Sequence, residues 1–421
     1  MVRGVDNFNL IEAVKSMPPM LAGEELVSAL TVLPEYDERI CKESKAVRLM
    51  ALSNLYSVYL PSPMSLEIYS KLYLSLLRSL QKKNTTAAVR QRYENNKAIR
   101  QQAYSGIIGG SDSYTIIGAS GIGKSSAISR AVSLIAHKRL IETEHPYSKI
   151  IPCLTVQCPF DSSVKGLLLE ILRKADEELG TRHYEHTLKS RAATVDMLIG
   201  VVSTVALNHI GLLIVDEIQN VANSKNGKSL VGMLTQLINN SGISICMVGT
   251  PESTVFFEQA MQLARRSLGL QYGRLECNQY FHDFCCALFR YQYVKQRSDV
   301  TPAIIEWLYE HSAGVIAVVV SLVHDAQEIA ILNDIEELNM EVLNEAYQKR
   351  LVLLHSYIEP SIKRKAQCNP NPKTTFSMQA QNKDVHNEKS LQELAAIAKN
   401  DHINIVKLLR QQGITVEEVA V

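Results

Sequence analysis

The sequence predicts an α/β fold in which a parallel sheet built around a phosphate-binding loop is followed by a small all-helical domain. From residue 113 short apolar runs alternate with amphipathic ones, as buried parallel strands alternate with the helices that cover them. The first of these runs ends in "GASGIGKSS", where Gly118 to Ser125 fits G-x-x-x-x-G-K-[ST] without a misfit. From about residue 276 the strand signals stop and helical periodicity remains.

A chain of 421 residues has room for two or three domains, and its 46% hydrophobic content is ordinary for a globular protein. The formal net charge is only +1, which excludes a globally basic nucleic-acid binder, so any DNA contact must come from a local patch. The opening "MVRGVDNFNLIEAVKSMPPM" lacks the apolar core of a signal peptide. The longest apolar run, "GVIAVVVSLV", falls well short of the roughly 18 residues a membrane span needs. A cytoplasmic protein without membrane contact is expected. The eight cysteines form no C-x-x-C pair, and their scatter fits reduced, mostly buried thiols, with Cys246 a small core residue. Cys285 and Cys286 lie close to His282 and Asp283, but neighbouring side chains on a helix point apart and make a poor metal set.

Residues 1–105 read as mostly helical. "SLEIYSKLYLSLLRSLQKKN" places Leu66, Tyr69, Leu72, Tyr73, Leu76, Leu77 and Leu80 at helical spacing after the proline-punctuated entry "YLPSPMS". Residues 106–275 are expected to form the α/β domain. Its predicted strands are "SYTIIG", "KIIPCLTVQC", "GLLIVDEI" and "ISICMVGT", with helices at "SSAISRAVSLIAHKRL", "SVKGLLLEILRKADEEL" and "LVGMLTQLINN". Residues 276–358 read as the helical domain. The Pro/Asn-rich stretch 359–388 reads as a flexible linker before a short helical tail, so that 359–421 stands apart from the core.

The chemistry is concentrated on the strand ends. In the loop, glycines let consecutive N–H groups turn toward phosphate, Lys124 reaches the β- and γ-phosphates, and the Ser125 hydroxyl binds magnesium. The expected nucleotide set is Gly118, Ser120, Gly121, Gly123, Lys124, Ser125 and Ser126, with the following helix aiming its positive end at the same anion. "LLIVDEIQN" then carries Asp216 and Glu217 at the end of an apolar strand. Asp216 would hold the magnesium with Ser125, and Glu217 would polarise the attacking water. The adjacent Asp-Glu pair favours hydrolysis over transfer to a substrate hydroxyl. Thr250, at the end of "ISICMVGT", is either a contact to the γ-phosphate or attacking water, or a plain strand-end cap. Arg265 and Arg266 in "QLARRSLG", with Arg274 following, are either surface arginines or groups that project into a neighbouring subunit's nucleotide.

The order of phosphate loop, acidic strand, polar strand end, paired arginines and helical lid resembles AAA+ ATPases, and within them the TnsC/TniB group of transposition regulators. The pieces behind the likeness are "GASGIGKSS", "IIPCLTVQCPFDSSVKGLLLEILRKADEELGT", "LLIVDEIQNV", "MVGTPES" and "SAGVIAVVVSLVHDAQ", over roughly residues 60–355. The resemblance implies ATP and Mg²⁺ as cofactors. It also implies a head-to-tail homo-oligomer, ring or filament, on double-stranded DNA that links a target-selection protein to a transposase and lets go on hydrolysis. It points to Ser163, Lys165, Lys189 and Arg191 as DNA contacts. One departure is visible: "SAGVIAVVVSLV" has no basic residue where many AAA+ lids place an arginine toward the γ-phosphate. Two other classes compete. A STAND-like signalling switch would need long repeats or an effector domain, and a metabolic kinase would need an acceptor site; neither is apparent.

Overall fold

A computed structural model describes residues 12–358, apart from 84, 101, 103, 110–112, 143–148, 190–193, 222–226, 255–268 and 356. The centre is a six-stranded sheet of β1 (Ser113–Gly118), β2 (Ile141–Glu142), β3 (Lys149–Gln157), β4 (Ile210–Asp216), β5 (Ser244–Gly249) and β6 (Leu270–Tyr272). Its spatial order is β2-β3-β4-β5-β1-β6. Every pairing is parallel except β2 with β3. The four strands read from sequence are all present, and β2 and β6 are too short to carry a pattern of their own. The order places β5 between the loop strand β1 and the acidic strand β4. Ile117 pairs with Gly249, and Val215 with Met247, so the carboxyl ends of the three strands reach the same edge.

Successive strand residues face opposite layers, and each layer has its own core. Tyr114, Ile116, Leu212, Ile214, Cys246 and Val248 pack with α4 (Pro63–Lys83) and α6 (Lys124–Ile135). Ile117, Leu213, Val215, Ile245 and Met247 pack with α7 (Val164–Leu179), α9 (Val195–His209) and α10 (Gly227–Ser241). Between α7 and α9 lies the short helix α8 (His183–Lys189). Gly211 lets α4 approach closely, because a Cβ there would stand 2.6 Å from the Pro152 carbonyl and collide with Leu76. Helix α9 carries no polar stripe that sequence patterning could detect: it is wedged between α7, α10 and α5 (Thr86–Ile99). Lys83, fully buried at the end of α4, donates to the carbonyls of Ala206 and Leu207 at 2.6 and 2.8 Å, where α9 ends.

The C-terminal part of the described chain is helical, with α11 (Gln279–Leu288), α12 (Pro302–Ser312), α13 (Ile316–Leu332) and α14 (Met340–Arg350). The described part of the N-terminal region, with α1 (Glu12–Lys15) and α2 (Gly23–Leu30), divides its buried residues between the sheet layer and the C-terminal helices. Helices α1, α2 and α4 pack onto the sheet layer. Leu52, Leu55 and Val58, which follow α3 (Lys45–Ala51), pack into the lid with Phe281, Leu322 and Val323. The buried Arg48 fixes this attachment. It donates to both carboxylate oxygens of Glu336, at 2.6 and 2.8 Å, and to the Tyr293 carbonyl at 3.0 Å. No single helix among the described residues is long and apolar enough to cross a membrane.

Candidate nucleotide site

Strand β1 delivers the loop to the carboxyl edge, and α6 begins at Lys124 immediately after Gly123. Gly123 has φ 98°, a left-handed conformation that a side chain would oppose. Lys124 is buried, and its ammonium donates to the carbonyls of Gly118 and Ala119 at 2.6 and 2.8 Å. Burial lowers its pKa, while Asp216, Glu217 and Glu252 oppose that effect. The Ser125 hydroxyl lies 3.4 Å from Asp216 Oδ2. A hydroxyl and a carboxylate side by side are hard oxygen donors suited to Mg²⁺.

Glu217 follows with φ 58°, uncommon for a residue with a side chain, and its N–H donates to Asp216 Oδ1 at 2.8 Å. Its carboxylate is exposed and takes a hydrogen bond from the Gln219 amide. Thr250 stands just before a short turn, Pro251–Ser253, without a side-chain capping bond to it, and its hydroxyl helps hold the Glu252 carboxyl below its usual pKa. Thr250 also borders the cavity. That cavity, about 250 Å³, is bounded by the loop residues Ser120, Gly121 and Gly123 to Ser126, by Asp216, Glu217 and Gln219, and by Gly249 and Thr250. The sequence-read loop, acidic and Thr250 residues thus converge on one edge.

The lid closes the remaining side with Ala317, whose N–H donates to the Gly121 carbonyl at 3.1 Å. The position facing the loop is apolar, as the lack of a basic residue in "SAGVIAVVVSLV" implied. A second cavity of about 610 Å³ opens beside the loop. Its walls include Tyr59, Leu60, Arg130, Tyr280, Phe284 and Val320. A planar, partly apolar group attached to a phosphate chain would fit there. Sequence reasoning missed these residues because they come from four separate segments and none belongs to a motif.

The remaining candidates lie elsewhere. Ser163 is the N-cap of α7, its hydroxyl accepting from the Gly166 N–H at 3.1 Å, and Lys165 is exposed on that helix's first turn. Lys189 is exposed at the end of α8, which packs on α7. Arg191, Arg265 and Arg266 lie outside the described residues. Arg274 is held within its own chain, stacked 4.4 Å over the Tyr357 ring and donating to the Tyr357 carbonyl at 2.8 Å. Cys285 is buried while Cys286 is exposed, so the pair does not converge on a metal. Burial pushes the Cys153 and Cys158 thiols up to about 12, as inert core residues require.

Loop, acidic strand end, sheet order and helical lid together define an AAA+ P-loop protein. Residues 110–271 match the family model described as "Bacterial TniB protein". No curated protein matches the chain. Among solved structures, the chain is similar to the ORC2 protein of Aeropyrum pernix, at 15% identity and a TM-score of 0.38, over 62% of this chain and 66% of that one, just under two thirds. It is also similar to Drosophila ORC bound to DNA, at 14% identity and a TM-score of 0.43 over 97% and 86%. The Aeropyrum pernix ORC1 protein in complex with DNA matches at 14% and 0.41 over 77% and 82%.

Proposed function

We propose that the protein is an ATP-dependent, DNA-binding regulator of transposition. It assembles head to tail on duplex DNA, joins a target selector to a transposase, and disassembles on ATP hydrolysis. The observation that carries this reading is the convergence of Lys124, Ser125, Asp216 and Glu217 at one sheet edge inside the TniB-matching stretch. Ser125 and Asp216 would hold Mg²⁺, which would supply charge neutralisation for the phosphates. Lys124 leaves the loop carbonyls for the β- and γ-phosphates. The Glu217 carboxylate, on the cavity wall, would accept a hydrogen bond from the attacking water and then its proton as the oxygen bonds to phosphorus. The larger cavity, walled in part by Tyr59, Tyr280 and Val320, would hold the purine.

With Ala317 in place of a lid arginine, the transition-state charge lacks a cation from this lid. Arg265 or Arg266 of a neighbouring subunit would supply it, which makes hydrolysis depend on assembly. The test is ATP hydrolysis measured with and without duplex DNA. DNA should raise turnover by tenfold or more at protein concentrations where the free chain is monomeric. Turnover indifferent to DNA would remove the DNA-dependent part of the reading.

A further inference from the structure

The β3–α7 turn that precedes Lys165 is tied to the acidic strand end more firmly than a surface loop requires. The Cys158 N–H donates to the Asp216 carbonyl at 2.8 Å, and the Cys158 carbonyl accepts from the Asn220 amide at 3.0 Å. The Ser162 hydroxyl donates to the Asn220 carbonyl at 2.8 Å, and the Asn220 N–H returns to the Glu217 carbonyl at 3.1 Å. The turn is closed internally by Ser162 N–H on the Pro159 carbonyl at 3.0 Å, and Asp161 folds its carboxylate back onto the Ser163 N–H at 3.0 Å. Ser162 is fully buried with φ 52°, so a strained residue is locked in place. At the corner of this clasped turn stands Phe160, 88% exposed.

A single exposed apolar residue is ordinary. A phenyl ring held outward by a turn with no slack, whose other end is the residue pair facing the phosphates, is an output element. We infer that Phe160 is a contact to duplex DNA, and that Asn220 is the positioning residue that couples this contact to the nucleotide. The inference rests on the DNA-binding reading above. Duplex DNA is favoured over a protein partner by the neighbours of the ring. Lys165 is exposed on the first turn of the helix that follows, and the Asp161 carboxylate is turned back onto the Ser163 N–H. A rigid ring beside a lysine can press on deoxyribose or wedge at a groove while the ammonium holds phosphate. Because Asp216 offers its carboxylate to the cation and its carbonyl to Cys158, any adjustment of that residue to the γ-phosphate moves the turn. By linkage, DNA on the turn must in return favour the triphosphate-bound arrangement.

The experiment uses the full chain, a fluorescent duplex, and either a non-hydrolysable ATP analogue or ADP. Phe160→Ala should leave DNA-free hydrolysis within about twofold of wild type, weaken duplex binding about tenfold, and abolish stimulation by DNA. The ring carries no charge, so the salt dependence of binding should stay as in wild type, whereas Lys165→Ala should reduce the slope by about one. Asn220→Ala should equalise duplex affinity in the two nucleotide states. Ser162→Gly, which removes the other half of the clasp and relieves the backbone, should narrow the difference in a chain that folds normally. Wild-type DNA binding and stimulation by Phe160→Ala would overturn the contact. So would a Phe160→Ala chain that binds DNA normally but fails to self-associate, which would assign the ring to a second copy. A wild-type chain that ignores duplex DNA in both nucleotide states removes the DNA-binding reading itself, and this inference with it.

Discussion

Lys124 and Glu217 sit on one cavity but answer different questions. Lys124 has its ammonium among loop carbonyls, buried enough to lower its pKa, so its gain on meeting phosphate is large. Lys124→Ala should abolish nucleotide binding, read by calorimetric titration, and with it assembly on DNA. Wild-type affinity in that variant would sink the loop assignment. Glu217→Gln keeps size and polarity but removes the charge that orients water. Nucleotide binding should persist while turnover falls about a hundredfold or more, and DNA complexes should live correspondingly longer. The positive φ of Glu217 belongs to the backbone and is retained in the glutamine variant, so the comparison isolates the carboxylate. Both residues were legible before any coordinates, because a lysine and an acidic pair at fixed distance from glycines and an apolar strand have a chemical reason to be there. The walls of the larger cavity were not. Tyr59, Tyr280 and Val320 are ordinary apolar choices on three segments, and only the packed chain brings them together.

At the level of elements, the helices with one apolar face were readable, and α4 occupies the span its leucine spacing indicated. Helix α9 escaped detection because burial on several sides erases the polar face that periodicity relies on. The sharing of the N-terminal region between two cores was equally invisible, since it turns on apolar contacts and ion pairs between residues far apart in sequence. Arg48 and Glu336 are buried and far apart in sequence, and together they fasten α3 to the lid. Arg48→Ala should cost about 3 kcal/mol in denaturant unfolding, since it leaves a buried carboxylate short of its main partner. The pH dependence follows from the same contact. Hydrogen bonds from Arg48, aided by Lys295, hold the Glu336 carboxyl at about 2 against an ordinary 4.5. A lowered folded-state pKa stabilises the protein above the unfolded value, so this contribution is complete above about pH 5 and fades as the pH falls toward 2. Arg48→Ala should flatten acid unfolding in that window, and an unchanged acid midpoint would separate Glu336 from lid stability.

For the whole molecule, the decisive matter is what completes the site. The cavity gathers Lys124, Ser125, Asp216 and Glu217 within one chain, and the lid meets it at the apolar Ala317. Arg274, which follows the paired arginines in sequence, contacts Tyr357 of its own chain. A head-to-tail assembly would place each nucleotide at a boundary, and a guanidinium entering across it would be permanently charged and able to contact two phosphate oxygens. Arg265→Ala or Arg266→Ala should therefore leave nucleotide binding by the monomer nearly unchanged while DNA-stimulated hydrolysis collapses. Mixing that variant with Glu217→Gln protein tests the geometry. The arginine-deficient chain keeps an intact Glu217, and the glutamine chain keeps both arginines, so boundaries formed in one orientation contain a complete site. Equal mixing should restore turnover toward a quarter of wild type, the random share of such boundaries, while either variant alone stays inactive. If the mixture is as inactive as its parts, the arginine acts within its own chain, and assembly and hydrolysis are coupled by something other than a shared site.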